Sequence, residues 1–257
     1  DAVGAFLVER GIGHLYILKE GMRFCPDVRM LPSSVRALVH CVFHATEPHG
    51  DLYAKISPCV NGSVPVVPHM VRPHDADGPD LRCELGIPPT ATVFGRHGGL
   101  ETFSIGSARL AVLDVACSHP QIYFVFLNTY PFGEMLPNIK YLERTSDPER
   151  VAAFIRTCDA MLHARDGGET FGLACAEFSA SHRPVLTSQV HDDNGFGSHH
   201  LDVLRRAGLQ RFFYRDYESL VKLLVGFQRG TSAQFHAYTD FEPHKVMATF
   251  ERVFLGA

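Results

Sequence analysis

Short apolar runs and helical patterns alternate along the chain from about residue 91 onward. The continuous apolar run IYFVFL at 122–127 is typical of a strand buried on both faces of a parallel sheet. The strands predicted in this part of the chain are 91–95, 122–127, 139–143, 160–164, 184–188 and 211–215. Strands that alternate with helices of ordinary length indicate βαβ units. The pattern therefore predicts an α/β fold built on a doubly wound parallel sheet.

Helical patterns separate these runs and complete the βαβ units. The predicted helices cover 102–118, 147–158, a segment that begins at 170–172, and 218–227. Asp147 is a favoured N-cap, and Pro148 fits the first helical position because its missing N–H would have no partner there. We expect residues 67–257 to form one domain on this basis.

The residues before this domain follow a less regular pattern. Their predicted elements are strands at 13–21 and 36–43 and a short helix at 51–57. Residues 64–80 are rich in Pro and His and lack periodicity, which is typical of an interdomain linker. We therefore expect residues 1–66 to be the remnant of a separate, partial α/β unit. Because the sequence begins with Asp1 inside a helical pattern, we also expect a fragment or a processed chain.

Composition and charge narrow the class of protein. Of 257 residues, 46% are hydrophobic and 20% are charged, which is ordinary for a globular protein. The formal net charge of −4 argues against a general nucleic-acid binder, which carries a basic excess. The seven cysteines form no C-x-x-C pair, so neither a disulfide framework nor a zinc site is indicated, and we expect a reducing, cytoplasmic setting. No apolar stretch reaches the roughly 18 residues of a transmembrane helix.

The turn after the first strand of the predicted sheet carries the first candidate site. It consists of Gly95, Arg96, His97, Gly98 and Gly99. Glycines let a ligand approach the backbone, amides at the start of a helix favour an anion, and a guanidinium matches phosphate oxygens. A tight turn with a surface arginine explains these residues equally well, because Gly-rich turns are common and this one is not a GxGxxG.

Two carboxylates lie eight residues apart in the segment ARDGGETFGLACAEF, which follows the strand at 160–164. Glu169 precedes the predicted helix, and Glu177 lies inside its apolar run. Glutamate is rarely buried without a partner, so Glu177 either faces solvent or meets a polar ligand. Glu169 is also explained as a carboxylate that the dipole favours at the start of a helix.

The order of these two segments resembles a known family. Gly95-Arg96 after the first strand and ETFGLACAE after the fourth are similar to the retaining GT-B glycosyltransferases of the family-four type, also called glycosyl transferases group 1. The resemblance covers about residues 64–257 and, more loosely, 40–57. The segments GRHGG…TF and CDAMLHARDGGETFGLACAEF are most similar to a branch found in large algal viruses and some microbes. The resemblance to the family implies a Rossmann-like C-terminal domain that binds a nucleotide sugar.

The resemblance implies a role for each matching residue. Glu169 would bind hydroxyl groups of the donor sugar, and Glu177 would accept the ribose hydroxyls of the nucleotide. Arg96 would hold the diphosphate and stabilise its developing charge. Phe171 and Gly172 would bring backbone amides close to the diphosphate.

Two further positions bear on the resemblance, one as a departure from the family pattern and one as a candidate match. The family places a lysine five residues after the arginine, where this chain has Glu101, so Arg165 or the amides of Gly98 and Gly99 would have to compensate. The family often places a histidine beside the donor sugar, and His49 is the candidate here. A lone histidine is more often a packing or capping residue.

Metal sites have two candidate segments, and neither is favoured. Asp192 and Asp193 faintly resemble the metal-binding DxD of the other glycosyltransferase fold, but a polar loop is the commoner explanation of such a pair. His199 and His200 cannot both face one site from adjacent helical positions. We therefore expect no metal and no cofactor.

The implied function is transfer of a sugar from a nucleotide-diphosphate sugar, with UDP or GDP, to a glycan, lipid or protein acceptor. The resemblance implies that the anomeric configuration is retained. Two alternatives stay open. The chain would be a non-catalytic nucleotide-sugar-binding fragment if too little of the acceptor domain is present, or it would be a GT-B sugar-nucleotide epimerase, which shares the architecture.

Overall fold

The structure is a computed structural model that describes residues 2–24, 27–74, 77–190, 197–230 and 235–256. Its strands are β1 (His14–Lys19), β2 (Arg36–Cys41), β3 (Leu52–Lys55), β4 (Thr92–Arg96), β5 (Ile122–Leu127), β6 (Ile139–Leu142), β7 (Ala160–His163), β8 (Val185–Ser188) and β9 (Phe213–Tyr214). Its α-helices are α1 (Ala2–Glu9), α2 (Gly106–Ser118), α3 (Pro148–Thr157), α4 (Leu173–Ala180), α5 (His199–Arg206), α6 (Tyr217–Val225) and α7 (Pro243–Phe250), which continues into a π-helical segment at Glu251–Leu255.

These strands form two sheets in which every pairing is parallel. The first sheet has the order β1-β2-β3, and the second has the order β6-β5-β4-β7-β8-β9. In the second sheet the direction of strand succession reverses between β4 and β7. A reversal of this kind opens a crevice at the carboxyl ends of the two strands, where open α/β sheets bind ligands. The predicted doubly wound α/β fold is confirmed.

Burial on both faces explains the continuous apolar runs of the second sheet. Phe94, Phe124 and Phe126 lie in a buried cluster with residues of α2 and α6. Val93 and Val125, which point the other way, lie in a cluster with residues of α3 and α4. A strand covered by helices on both sides needs apolar residues at every position, and this is the pattern that the sequence shows.

The short helix predicted at 51–57 is wrong, because this segment contains the strand β3. Residues from Leu52 to Lys55 pair in parallel with β2, from Leu38 to Cys41. Seven residues are too few to offset the cost of starting an isolated helix, whereas a neighbouring strand offers hydrogen bonds at once. Tertiary pairing therefore decides the structure of this segment.

The first residues of the predicted linker at 64–80 pack closely against the first sheet. Val67 donates its N–H to Lys55 O at 2.8 Å, and Lys55 donates to Pro65 O at 2.9 Å. At the other end of the chain, Phe254 is fully buried against the first sheet. The proposed boundary after residue 66 stays a prediction, since residues on both sides of it contribute to the core around the first sheet.

Candidate functional site

The two candidate segments lie side by side at the carboxyl edge of the second sheet. Ser104, in the segment after β4, donates its N–H to Ala164 O at 2.8 Å. Its hydroxyl donates to Asp166 Oδ1 at 2.7 Å. The glycine-rich turn and the Glu169 segment therefore border the same crevice, at the reversal point between β4 and β7.

Arg96 is the last residue of β4, and its guanidinium holds the turn that follows. The residue is only 4% exposed. Nη2 donates to Gly99 O at 3.0 Å and to the hydroxyl of Thr102, while Nη1 donates to Asn128 O at 3.2 Å and to the hydroxyl of Thr129. Protein acceptors thus take up the four N–H groups of the two terminal nitrogens, and a bound phosphate would meet the charge of Arg96 from outside this ring of contacts.

The three glycines of the turn have different structural roles. A Cβ on Gly95 would lie 2.2 Å from Cys158 Sγ, so this glycine allows α3 to pack on the sheet. Gly98 has a φ of +150°, a backbone conformation that favours glycine. Gly99 supplies the carbonyl that Arg96 binds. A cavity of about 500 Å³ opens beside this turn, lined by Gly98, Gly99, Leu100, Asn128, Arg144, Thr145 and Ser146.

Glu169 lies before α4, because the helix begins at Leu173 and not at 170–172. Its two carboxylate oxygens have separate partners. Oε1 lies 3.2 Å from His163 Nε2, and Oε2 accepts a hydrogen bond from Arg165 Nη1 at 2.9 Å. Burial raises the pKa of Glu169, but the hydrogen bonds and charges of His163 and Arg165 outweigh burial and hold the pKa below its usual value. The carboxylate is therefore ionised at neutral pH.

The charges of the two candidate segments act on each other across the crevice. Burial lowers the pKa of Arg96 to about 10, and the negative charge of Glu169 opposes that shift. Arg96 remains a cation at neutral pH. The crevice thus holds a buried positive charge under the turn and a fixed negative charge facing it.

Buried polar residues of β7, β8 and α5 form a series of contacts that ends at Glu169, and sequence reasoning missed them. His163 Nδ1 lies 2.9 Å from the hydroxyl oxygen of Thr187, and that oxygen lies 3.2 Å from His200 Nε2. His163 is the last residue of the otherwise apolar strand β7, and Thr187 follows two apolar residues near the end of β8. A polar side chain in a strand that is otherwise apolar is the signal that would have pointed to them.

Glu177 meets a histidine of the same protein, an outcome that sequence reasoning also missed. His97 Nε2 lies 3.0 Å from Glu177 Oε2, at ion-pair distance although outside hydrogen-bond geometry. The ring of His97 stacks on Phe178 and meets the edge of Phe154. The glutamate side chain is 24% exposed, so a ligand can still reach it.

Phe171 and Gly172 shape the backbone that leads into α4. The Phe171 side chain is 2% exposed and packs against Tyr238 and Phe241, so it anchors the segment and offers a ligand only its backbone. Gly172 is the N-cap of α4 with a φ of +81°, and a Cβ there would lie 2.9 Å from His200 Cβ. This left-handed turn places Glu169 off the helix.

His49 lies in the loop between β2 and β3, and both of its ring nitrogens are engaged. Nδ1 donates to Glu47 O at 2.6 Å, and Nε2 lies 3.1 Å from Lys19 Nζ. The residue is 9% exposed and its ring packs against Tyr53. This arrangement matches the packing interpretation of His49, and its place beside a donor sugar stays a prediction.

The remaining candidates concern metals. Asp192 and Asp193 lie outside the residues that the structure describes. His199 stacks on Phe171, whereas His200 contacts the Thr187 hydroxyl, so the two adjacent histidines point to different places, as expected. Among the described residues, no three His, Cys, Asp or Glu side chains are arranged to hold a metal ion. Within the same ranges, no helix has the length and apolar character needed to cross a membrane.

The first sheet reaches the site through the segment after β3. Ser57 donates its hydroxyl to Thr170 O, directly beside Glu169. A Cβ on Gly197 would lie 2.9 Å from Cys59 Cβ, so the same segment also approaches the start of α5. The carboxyl ends of the two sheets therefore face each other across the Glu169 segment.

The chain has the fold of the GT-B glycosyltransferases of known structure. HepE from Anabaena in complex with UDP-glucose aligns with a TM-score of 0.63 and 13% identity over 87% of this chain and 73% of that chain. A UDP-forming α,α-trehalose-phosphate synthase from Burkholderia xenovorans aligns with a TM-score of 0.64 and 11% identity over 99% of this chain and 77% of that one. In a HepE complex with UDP and glucose, the alignment takes in 69% of this chain and 51% of that chain, at 16% identity and a TM-score of 0.53.

No protein-family model and no curated protein matches the sequence. The structural alignments, at 11 to 16% identity, therefore establish the fold alone. The resemblance to GT-B glycosyltransferases is confirmed at this level. The retaining type, the family-four assignment and the algal-virus branch stay predictions.

Proposed function

We propose that this chain transfers a sugar from a nucleotide-diphosphate sugar to an acceptor hydroxyl, with retention of the anomeric configuration and without a metal ion. The observation that carries the proposal is the ionised carboxylate of Glu169, which His163 and Arg165 hold at the reversal point of a GT-B sheet. Carboxylates in this setting bind sugar hydroxyls and favour the positive charge that develops on the sugar ring. HepE is found in complex with UDP-glucose, which supports a UDP-linked donor, and a GDP-linked donor is the other one that the family resemblance implies.

Each part of the crevice has a role in this reaction. The bond between the anomeric carbon and the β-phosphate oxygen breaks, a bond to the acceptor oxygen forms, and the acceptor proton passes to the departing nucleoside diphosphate. Glu169 binds the donor sugar and Glu177 binds the ribose diol. Arg96 and the amides at the start of α4 stabilise the diphosphate, because a helix N-terminus and a buried cation both favour negative charge.

The missing lysine fits this division of roles. Glu101 is exposed and contributes no cation, and the Nη1 group of Arg165 binds Glu169. The charge of Arg96 and the backbone amides therefore carry the stabilisation of the diphosphate. The proposed site needs no divalent ion for this purpose.

A donor panel tests the proposal. UDP- and GDP-linked hexoses are incubated with the chain, with and without simple sugar acceptors, and released nucleoside diphosphate is measured in the presence of EDTA. We expect release that persists in EDTA and falls by on the order of 100-fold in Glu169→Gln, which keeps the size of the side chain and removes its charge. Glu101→Gln, at an exposed position nearby, is the matched control and should release nucleotide at the wild-type rate.

The same assay separates the alternatives. Binding of UDP or GDP without release under any condition would support a non-catalytic nucleotide-sugar-binding module. Conversion of the donor sugar into its epimer would support the epimerase. A product of inverted configuration, detected by NMR, would contradict retention while leaving the transferase proposal intact.

A further inference from the structure

A run of buried polar side chains links Glu169 to α5 through the interior of the second sheet. Oε1 of Glu169, Nε2 of His163, the hydroxyl of Thr187 and Nε2 of His200 follow one another at 3.2, 2.9 and 3.2 Å. His163 is 4% exposed, and Thr187 and His200 are fully buried. Burying polar groups costs free energy unless each one has a hydrogen-bond partner. A run of four such groups in the core is therefore expected to serve a function.

With His163 neutral, the run has one consistent order of donors and acceptors. An ionised Glu169 only accepts, so Nε2 of His163 carries the hydrogen that faces it. Nδ1 of a neutral His163 then accepts from the hydroxyl of Thr187, whose distance of 2.9 Å to Nδ1 is shorter than its 3.4 Å to Ser188 O. The oxygen of Thr187 in turn accepts from Nε2 of His200.

We propose that Thr187 and His200 are positioning residues that fix the Nε2–H tautomer of His163, and that this tautomer holds Glu169 as an oriented carboxylate facing the donor sugar. The proposal rests on the function proposed above and adds to it the residues that prepare its carboxylate. None of the three touches the substrate; each acts through the next.

Removal of the Thr187 hydroxyl has a definite consequence. Nδ1 of His163 would lose its donor and become a buried, unpaired acceptor, a state that costs free energy. A hydrogen on Nδ1 would be unpaired there as well, so the ring keeps its hydrogen on Nε2 but loses the second hydrogen bond that fixes its orientation. Rotation of the ring then weakens the hydrogen bond from Nε2 to Oε1, and Glu169 loses its fixed orientation while Arg165 still holds Oε2.

The groups that face Glu169 determine how the pH profile of activity responds to a substitution at Thr187. The hydrogen bond from His163 and the hydrogen bond and charge of Arg165 lower the pKa of Glu169 against the effect of burial, and Arg96 is a cation across the crevice. Burial raises the pKa values of the Cys175 thiol and the Tyr238 phenol well above their usual values, and the charge of Glu169 raises them further, so both groups are neutral. A weaker contact with His163 therefore raises the pKa of Glu169 and moves the acid limb of activity to higher pH.

The experiment compares the wild type with Thr187→Val, Thr187→Ser and Thr157→Val. Valine keeps the shape of threonine and removes the hydroxyl, serine keeps the hydroxyl, and Thr157 is an equally buried threonine in α3, where its hydroxyl bonds to Ala153 O. Thermal unfolding, affinity for UDP, and kcat and KM for donor turnover are measured between pH 5 and 9.

We expect Thr187→Val to lower kcat roughly tenfold with little change in KM or UDP affinity, and to shift the acid limb upward. Thr187→Ser should recover most of kcat. Thr157→Val should lose stability without losing kcat. A Thr187→Val enzyme with the wild-type kcat and pH profile, or a serine variant as impaired as the valine variant, would overturn the proposal.

Imidazole ¹⁵N NMR gives a result that does not depend on turnover. The wild type should show His163 as the Nε2–H tautomer, and Thr187→Val should shift the resonance of the unprotonated Nδ1, which no longer accepts a hydrogen bond. If the wild type turns over no donor, the proposed function fails, and the tautomer of His163 still decides this inference. A wild-type His163 that carries its hydrogen on Nδ1 alone would refute it.

Discussion

At the scale of single residues, Glu177 shows how a carboxylate is kept in an apolar helix. Its helix buries the residues on either side of it, Ala176 and Phe178, yet Oε2 lies 3.0 Å from Nε2 of His97 on the turn after β4. The histidine lies between two phenylalanine rings, Phe154 and Phe178, which leave its Nε2 facing the glutamate. The partner thus comes from the protein itself, from a residue 80 positions earlier in the chain.

The first prediction at this scale concerns the ribose. If Glu177 binds the ribose diol, Glu177→Ala should weaken binding of UDP or GDP by roughly 1.5–3 kcal/mol, the value of a hydrogen bond to a charged group. His97→Phe is the matched variant, since a phenyl ring keeps the packing with Phe178 and removes Nε2. It should bind nucleotide at least as well as the wild type, because the ribose no longer competes with His97 for the carboxylate.

Isothermal titration calorimetry with UDP, GDP and the free nucleosides measures both variants. Equal affinity in Glu177→Ala and the wild type would mean that Glu177 serves His97 and not a ligand. Weaker binding in His97→Phe would mean that the histidine itself contacts the nucleotide.

At the scale of elements, one glycine determines how closely α3 packs on β4. The sequence suggested that Gly95 lets a ligand approach the backbone, but the nearest atom to a Cβ at this position is the sulfur of Cys158, at the end of α3. The side of β4 that carries Gly95 therefore faces a helix. Arg96, the next residue, points to the opposite side and toward the turn.

The second prediction follows from this contact. Gly95→Ala should lower the free energy of unfolding by about 1–3 kcal/mol, because a methyl group 2.2 Å from a sulfur atom forces the helix or the strand to shift. Cys158→Ala in the same chain should recover part of the loss. Gly106→Ala, at the start of α2 with no atom within 4 Å of its Cβ, should be neutral or slightly stabilising.

Urea denaturation at neutral pH measures all four proteins. A Gly95→Ala protein as stable as the wild type would show that the strand and α3 separate easily. If the double variant is no more stable than Gly95→Ala alone, the added methyl group clashes mainly with Phe154, whose ring lies 3.0 Å from the same Cβ.

Local pattern predicted most elements of the second sheet because both faces of its strands are buried. It failed at residues 51–57, where pairing with β2 outweighs local preference, and at the start of α4, where Gly172 adopts a left-handed conformation. For the site, the carboxyl ends of β4 and β7 were predictable from strand order. The contacts of Glu169 with His163 and of Glu177 with His97 were not, because packing of separate elements brings these residues together.

At the scale of the whole molecule, two buried histidines lie where the first sheet meets the rest of the chain. His40 in β2 accepts from the Tyr16 hydroxyl and donates to Val67 O, both at 2.7 Å, and it meets the ring of Phe254. His199 in α5 packs against the ring of Phe171. Their exposures are 2% and 4%, so a positive charge on either ring costs free energy in the folded protein.

Burial of these histidines makes the stability of the fold depend on pH. Burial lowers the pKa of both His40 and His199 to about 4, although the hydrogen bond to Val67 partly opposes this for His40. The unfolded chain, with an ordinary histidine pKa near 6.5, therefore binds more protons than the folded chain between these values. The stability that neutral histidines contribute is complete above about pH 6.5 and is lost as the pH falls toward 4, by up to about 3 kcal/mol for each group.

The last prediction tests this dependence in the intact chain. His199→Phe keeps a ring against Phe171 and removes the titrating group, so the urea midpoint should fall less between pH 7.5 and 5 than it does in the wild type. His14→Gln, at an exposed position on β1, is the control and should keep the wild-type difference. If His199→Phe shows the same loss as the wild type, His199 is not protonated on unfolding in this range. The acid sensitivity would then come from His40 and the contacts of the first sheet with the C-terminal helix. In that case the urea midpoint of His40→Gln should no longer fall between pH 7.5 and 5.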